Sequence, residues 1–222
     1  MLWDIDGTLL LRQQDGGSLA IFLASVAEAT GRTELEPPEF LDGSTDYRIT
    51  QSILTRSGFS IEEVNLYTKP ILAELEKRTT TAAYIEATRA PAPGIELVFS
   101  ELSSQIHGYA TGNTRRRAIA KTSFFGLDRW LDPEIGGFGD RVSNRSEFVA
   151  EAIARATLKY DQDFRPIVIG DTPSDVESGK ELGIETIAIT TGIFDHERLA
   201  LEQPDLLVDR AGPELVEFVL RA

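Results

Sequence analysis

The chain of 222 residues contains no cysteine, two histidines, two tryptophans and a single methionine, its first residue. The absence of cysteine excludes disulfides, thiolate metal sites and cysteine nucleophiles. His107 and His196 are too few for a histidine-rich metal cluster. Positive charge is also short, since 22 Lys and Arg against 36 Asp and Glu leave a formal net charge of -14. Such a surface repels phosphate backbones, so nucleic acid and anionic membranes are not expected as partners. A small anionic substrate is still open to it, because a metal or a few local cations reverse the sign inside one pocket. No apolar run reaches the roughly 18–20 residues of a membrane span. Met1-Leu2-Trp3 leads straight into Asp4 with no basic and apolar leader, so the expectation is a cytoplasmic protein. With three residues ahead of Asp4, either the first strand is short or the recorded start lies slightly late.

What is present is ordinary for a globular protein: 41% hydrophobic and 26% charged residues. The length suits one α/β core with a sizeable insertion, or two small domains. Short apolar runs at Ile106–Ala110, Ile167–Ile169 and Thr186–Ile189 read as buried parallel strands, each beside a helical pattern. Leu2–Ile5 reads as the first strand, Leu206–Val208 as the last and Ile135–Phe138 as an extra one. Leu19, Phe22, Leu23 and Val26 keep helical spacing behind a Ser18 cap, and Phe148, Val149, Ala152, Ile153 and Ala156 form a second stripe. Leu215, Val216, Val219 and Leu220 form a third, entered through Gly212-Pro213. Between Ser18 and Thr88 the pattern is helix after helix, with Pro70 expected to interrupt or kink one of them. One crossover needs one helix, so this block is long enough to be a small helical domain, and Ala90-Pro91-Ala92-Pro93-Gly94 makes a stiff return from it.

Four segments carry chemistry. In Asp4-Ile5-Asp6-Gly7-Thr8-Leu9 two carboxylates at a strand end face the same side. Crowding raises the cost of ionising both unless a cation or proton lies between them, and Mg²⁺ with oxygen ligands suits that place. Asp4 can then act as an ionised nucleophile while Asp6 holds a proton for a leaving alkoxide. A strand running into a solvated Asp-Gly turn explains the same residues. Gly170-Asp171-Thr172-Pro173-Ser174-Asp175 follows the apolar run at 167–169 and puts Asp171 at a strand end, where ligands of open parallel sheets bind. Asp171 reads as a metal ligand. Asp175 reads either as the partner of Thr172 in a capping box or as a carboxylate assisting the metal. Thr111-Gly112-Asn113 offers a hydroxyl and backbone N–H groups to a phosphate, or is a cap-rich turn. In Ser143-Asn144-Arg145-Ser146-Glu147, a box between Asn144 and Glu147 would put Arg145 on the first helical turn, where its guanidinium can reach phosphate and Asp4; a surface arginine is the plainer reading.

Together these segments resemble the haloacid dehalogenase superfamily, and within it the phosphoglycolate phosphatase-like branch. Asp4–Thr8 matches its Asp-x-Asp-Gly-Thr motif, Thr111 its Ser/Thr motif, and Gly170–Asp175 its Gly-Asp-x-x-x-Asp motif. The resemblance implies an α/β fold with a Rossmann-like parallel-sheet core, residues 1–16 and 90–222, and a smaller all-helical cap domain, 17–89, inserted after the first strand. It implies a Mg²⁺-dependent phosphomonoester hydrolase acting on a small phosphorylated metabolite. Asp4 would form an aspartyl-phosphate, and Asp6 would protonate the leaving group and then activate water. Asp4, the Asp6 carbonyl and Asp171 would hold the metal, with Asp175 beside them, while Thr111 and the Gly112 N–H hold phosphoryl oxygens. The family's third motif is usually a lysine; here Arg145 stands in that place, with Lys121 as an alternative earlier in the chain. Gly43–Arg48 resembles the cap segment facing the active site, with Arg48 as a contact for a distal substrate group; a loop and helix cap is the alternative. The Arg115-Arg116-Arg117 cluster either draws anions to the site or is a solvated face. The rival functions are a phosphomutase similar to β-phosphoglucomutase and a non-catalytic binding protein of the same fold. A phosphonate hydrolase needs a cap lysine in a recognisable setting, which neither Lys69 nor Lys77 has.

Overall fold

The computed structural model describes residues 1–13, 18–141 and 144–221. The inferred boundary between residues 16 and 17, and Ser143 beside the Arg145 segment, lie outside the described residues. In chain order the strands are β1 (Leu2–Trp3), β2 (Leu10–Arg12), β3 (Arg89–Pro91), β4 (Gly108–Thr111), β5 (Gly137–Phe138), β6 (Ile167–Gly170), β7 (Glu185–Ile189) and β8 (Leu206–Val208). Six of them form one sheet in the order β5-β4-β1-β6-β7-β8. Every neighbouring pair in it runs parallel, which makes the core a Rossmann-like α/β sheet. The helices are α1 (Ser18–Thr30), α2 (Asp46–Arg56), α3 (Ile61–Thr79), α4 (Ala82–Thr88), α5 (Ile95–Glu101), α6 (Arg115–Phe124), α7 (Arg145–Tyr160), α8 (Pro173–Leu182), α9 (His196–Ala200) and α10 (Pro213–Leu220).

The central strands are buried on both faces, which is why they read as continuous apolar runs. Trp3, Tyr109, Ile167 and Ile169 face one cluster with Phe99, Leu131 and Leu215. Leu2, Ala110 and Val168 face the other, against Phe148, Val149 and Ala152 of α7. A polar link ties the first of these layers together. Trp3 Nε1 donates to His107 Nδ1 at 3.1 Å, and His107 Nε2 lies 2.9 Å from the Leu102 carbonyl. Both bonds are made only by the neutral imidazole carrying its proton on Nε2. Burial accordingly pushes His107 down to about 4.

The helical block between β2 and β3 has its own apolar cluster, in which Phe22 and Val26 of α1 meet Ile49 and Ile53 of α2 and Ile71 and Leu75 of α3. Pro70 does not interrupt α3, which runs unbroken through it. Sequence patterning does not foresee the ribbon at the base of this block. β2 and β3 pair antiparallel, Leu10 with Pro91 and Arg12 with Arg89, so the chain leaves and re-enters the core side by side. The strand expected at Leu2–Ile5 ends at Trp3, and the one expected at Ile106–Ala110 is displaced to Gly108–Thr111. Ile135 belongs to a short 3-10 turn that precedes β5. Ser18 is the first residue of α1 rather than its cap. Asn144 caps α7 through the Ser146 N–H, not through a box with Glu147. Among the described residues no helix is long and apolar enough to cross a membrane.

Candidate active site

From β1 the sheet extends to β4 and β5 on one side and to β6, β7 and β8 on the other. Their carboxyl ends therefore part around β1, the place where open parallel sheets bind ligands. Asp4 follows β1, Thr111 ends β4 and Asp171 follows β6, so three adjacent strand ends deliver the residues of three motifs to one rim. The Asp4 N–H donates to the Ile169 carbonyl at 2.9 Å, which fixes its height beside β6. One oxygen each from Asp4, Asp171 and Asp175 lies within 4.8 Å of the others, and all three residues are buried.

The charges in this cluster are not balanced. Arg145 Nη2 lies 2.9 Å from Asp4 Oδ1 and 2.5 Å from Asp175 Oδ1, and donates to the Ala110 carbonyl at 2.9 Å. Asp175 Oδ2 takes the Thr172 N–H at 3.0 Å and its hydroxyl at 2.7 Å, while Oδ1 is buried and makes no hydrogen bond of good geometry. Asp171 accepts the Thr8 hydroxyl at 2.8 Å. Burial, with repulsion from Asp175 and Asp6, raises Asp4 to about 6 despite Arg145 and the Thr111 hydroxyl. Burial and the charges of Asp4 and Asp175 raise Asp171 well above the usual carboxylate range. An oxygen-seeking divalent cation relieves this repulsion and fills the valence of Asp175 Oδ1, so the donor set fits Mg²⁺. Gly7 is needed at the turn below: its φ is +100°, and a Cβ there would fall on the Asp171 carboxylate.

Asp6 points elsewhere. Arg89 Nε meets its Oδ1 at 2.5 Å, and Lys121 Nζ and Asn113 Nδ2 meet its Oδ2 at 2.5 and 2.9 Å. Burial alone would push this carboxyl up, but Arg89 and Lys121 hold it well below the usual range. Asp6 is thus ionised in the resting site instead of holding a proton, and its carboxylate stands apart from the Asp4–Asp171–Asp175 cluster. Lys121 is fully buried and is pushed by that burial down to about 7 against the pull of Asp6. Arg145 and Lys121 are therefore not alternatives: each serves a different carboxylate. Arg89 carries no sequence signal. Arg117 and Lys121 carry a faint one, since residues four apart share a helical face and α6 offers few apolar residues to bury.

The segment before α2 lies over the rim. The Asp46 N–H donates to the Gly112 carbonyl at 2.8 Å and the Tyr47 N–H to the Gly139 carbonyl at 3.0 Å. A Cβ on Gly112 would strike the Ser44 carbonyl, so a glycine is required for this approach. Asp46 Oδ2 accepts the Thr114 N–H at 2.8 Å, and Asp46 Oδ1 pairs with Arg117, whose Nε donates to the Thr79 hydroxyl at 2.9 Å. Arg117 is thus buried, while Arg115 pairs with Glu134 at the surface. Arg48 is not brought to the Asp4 cleft. It is exposed and lines a neighbouring cavity with Ser174, Glu177 and Glu181. The cleft holding Asp4, Asp6, Gly112, Arg145 and Asp171 encloses about 80 Å³. A larger cavity of about 250 Å³ lies at the opposite end of the strands, by Met1 and Ile167, and none of these carboxylates lines it.

Residues 146–212 match the HAD-hydrolase-like family model. A protein of Caldanaerobacter subterraneus named for a pyrophosphatase, PpaX, is 25% identical over 117 residues, 52% of each chain. The match thus spans about half the length of that curated relative. Among solved structures, one from Clostridium acetobutylicum described as a predicted phosphatase has a TM-score of 0.66 at 20% identity, covering 99% of this chain and 96% of that one. A haloacid dehalogenase-like family hydrolase from Streptococcus pneumoniae gives 0.61 at 18%, covering 99% and 97%. CbbY of Rhodobacter sphaeroides, solved with phosphate, gives 0.62 at 16%, covering 94% and 92%. At these identities the structures speak for the fold, while the family model covers α8 and the Asp171 turn itself. The match over residues 146–212, the fold shared with these structures and the motifs on adjacent strand ends make the chain similar to haloacid dehalogenase-like hydrolases.

Proposed function

We propose that this protein is a Mg²⁺-dependent phosphatase that hydrolyses a small phosphorylated metabolite through an aspartyl-phosphate on Asp4. The observation that carries this reading is the convergence of Asp4, Asp171 and Asp175 into one buried cluster with Arg145 as its guanidinium partner. Asp4, Asp171 and Asp175, with the Asp6 carbonyl, are the residues that would hold the metal. When bound, Mg²⁺ supplies positive charge that offsets repulsion between a carboxylate nucleophile and an anionic phosphoryl group.

The remaining work falls to the chain. Thr111, the Gly112 N–H and Arg145 orient the phosphoryl group toward Asp4. An Asp4 oxygen bonds to phosphorus as the ester P–O bond breaks, and the departing alkoxide takes a proton from Asp6. Water then attacks phosphorus and gives a proton to the Asp6 carboxylate, and the P–O bond to Asp4 breaks to release phosphate. The proton gained in the second step is the one spent in the next turnover, so the cycle runs with Asp6 protonated when the ester arrives, and an Asp6 ionised by Arg89 and Lys121 must first take up a proton. Residues 17–89 act as the helical cap domain, and the core comprises 1–16 and 90–222. A cleft of about 80 Å³ is far below the roughly 300 Å³ or more of ordinary ligand pockets. The segment at 43–47 must therefore lift to admit an organic ester, and its return excludes water.

The test is phosphate release from a panel of phosphorylated metabolites, with Asp4→Asn and EDTA as controls. Asp4→Asn is expected to lose about a thousandfold or more. Undiminished turnover by that variant would remove the nucleophile assignment. Net isomerisation with little free phosphate would identify a phosphomutase instead.

A further inference from the structure

We infer that Lys121 is a positioning residue for leaving-group chemistry, holding Asp6 and Asn113 from beneath the cleft. This inference rests on the phosphatase reading above and assigns a role to a residue outside its motifs. Lys121 is fully buried. An ammonium in that position is costly unless it is paired and hydrogen-bonded, and a methionine would fill similar space without the cost. The charge is retained where it does two things. Its Nζ lies 2.5 Å from Asp6 Oδ2 and 2.7 Å from Asn113 Oδ1.

The second contact decides the orientation of the amide. An ammonium only donates, so Asn113 must turn its oxygen to Lys121 and its NH₂ outward. That NH₂ then meets Asp6 Oδ2 at 2.9 Å and Thr111 Oγ1 at 2.9 Å. With Oγ1 already accepting from Asn113, the Thr111 hydroxyl proton is left for Asp4, whose carboxyl the hydroxyl helps to hold down. The first contact decides the placement of Asp6. Arg89 draws Oδ1 toward the β2–β3 ribbon, and Lys121 with Asn113 draws Oδ2 toward α6. The carboxylate is clamped between them; with Lys121 removed, only the neutral Asn113 amide opposes the pull of Arg89.

The experiment compares kcat/KM for a simple alkyl phosphate and for p-nitrophenyl phosphate in wild type and Lys121→Met, both with Mg²⁺. An alkoxide needs a proton to leave and nitrophenolate does not, so the ratio of the two constants reports the work of Asp6. Lys121→Met is expected to lower that ratio at least about tenfold, within the reach of general acid catalysis, with less than about a threefold loss on the aryl ester. A lysine that merely filled the core would depress both substrates alike. An unchanged or increased ratio overturns the inference. Should Lys121→Met fail to fold, Lys121→Gln, which keeps a donor without the charge, carries the same comparison. Failure of both to fold overturns it too, since Lys121 would then be scaffold. A silent Asp4→Asn beside an unshifted ratio sinks this inference alone, whereas a wild type inactive on both esters and on the metabolite panel sinks the phosphatase reading with it.

Discussion

Asp171 is a buried carboxylate whose charge is opposed mainly by the Thr8 hydroxyl and by Arg145, while Asp4 and Asp175 repel it. Asp171→Asn keeps the acceptor for Thr8 and removes the repulsion. Without added metal it is expected to be more stable than wild type by about 0.5–2 kcal/mol, the usual gain when a strained functional group is relaxed. On the proposed metal role, Mg²⁺ should raise the wild-type melting temperature, as any ligand of the folded state alone does. In Asp171→Asn that rise should shrink or vanish. Calorimetry of both proteins with Mg²⁺ and with EDTA checks both statements, and a less stable metal-free variant would contradict the repulsion argument. Gly7→Ala meets two obstacles at one atom, a φ of +100° and the Asp171 carboxylate. It is expected to cost about 1–3 kcal/mol in denaturant unfolding and to disable turnover.

The turn from β4 into α6 bears much of the site. Thr111, Gly112 and Asn113 form it, Thr114 caps the helix, and Arg117 and Lys121 follow on one buried face. Asp46 of α2 docks there by taking the Thr114 N–H and pairing with Arg117. Arg117→Met strands a buried carboxylate and is expected to destabilise by about 3–5 kcal/mol, whereas adding Asp46→Leu should recover most of that loss. A double-mutant cycle by urea unfolding measures the coupling, and a loss in the double variant equal to the sum of the two single losses would show that the pair carries none. At this scale the reach of the sequence is plain. Asp4 and Asp171 are legible because an apolar run that stops at an aspartate puts a costly charge at a strand end, where only a function or a partner retains it. The helical block is legible from its periodicity. Arg89, Lys121 and Arg117 are not, because their pairing joins segments 71 to 115 residues apart in contacts that no local pattern records. The β2–β3 ribbon is hidden for the same reason, and Pro91 within it reads as a loop. Arg48 is placed less directly: it is exposed on α2 and lines a cavity that Arg145 also lines, outside the Asp4 cleft itself.

Across the whole molecule, acid stability is set partly far from the site. His107, neutral and buried between Trp3 and Leu102, falls to about 4 from an ordinary value of 6.5. Because the unfolded chain binds this proton more readily, the stabilisation is complete above pH 6.5 and is lost as pH falls toward 4. The loss amounts to about 3 kcal/mol. Asp4, raised to about 6, acts with the opposite sign over much of that window, so wild type alone blurs the effect. His107→Gln preserves an acceptor for Trp3 and a donor for Leu102 without a titrating group. Unfolding free energies of the two proteins, differenced from pH 7 to pH 4, should converge by that amount; a constant difference would assign the slope elsewhere.

The ribbon has a consequence of another kind. Arg12 and Arg89 are register partners on adjacent antiparallel strands, so the 76 intervening positions start and finish at neighbouring points. Such an insert enters and leaves the core through one ribbon, so a change in its length need not change the separation of the strands that flank it. Splicing Arg12 to Arg89 through a tight turn is expected to leave the parallel sheet in register, which would make the ribbon a natural suture line for exchanging the helical insert.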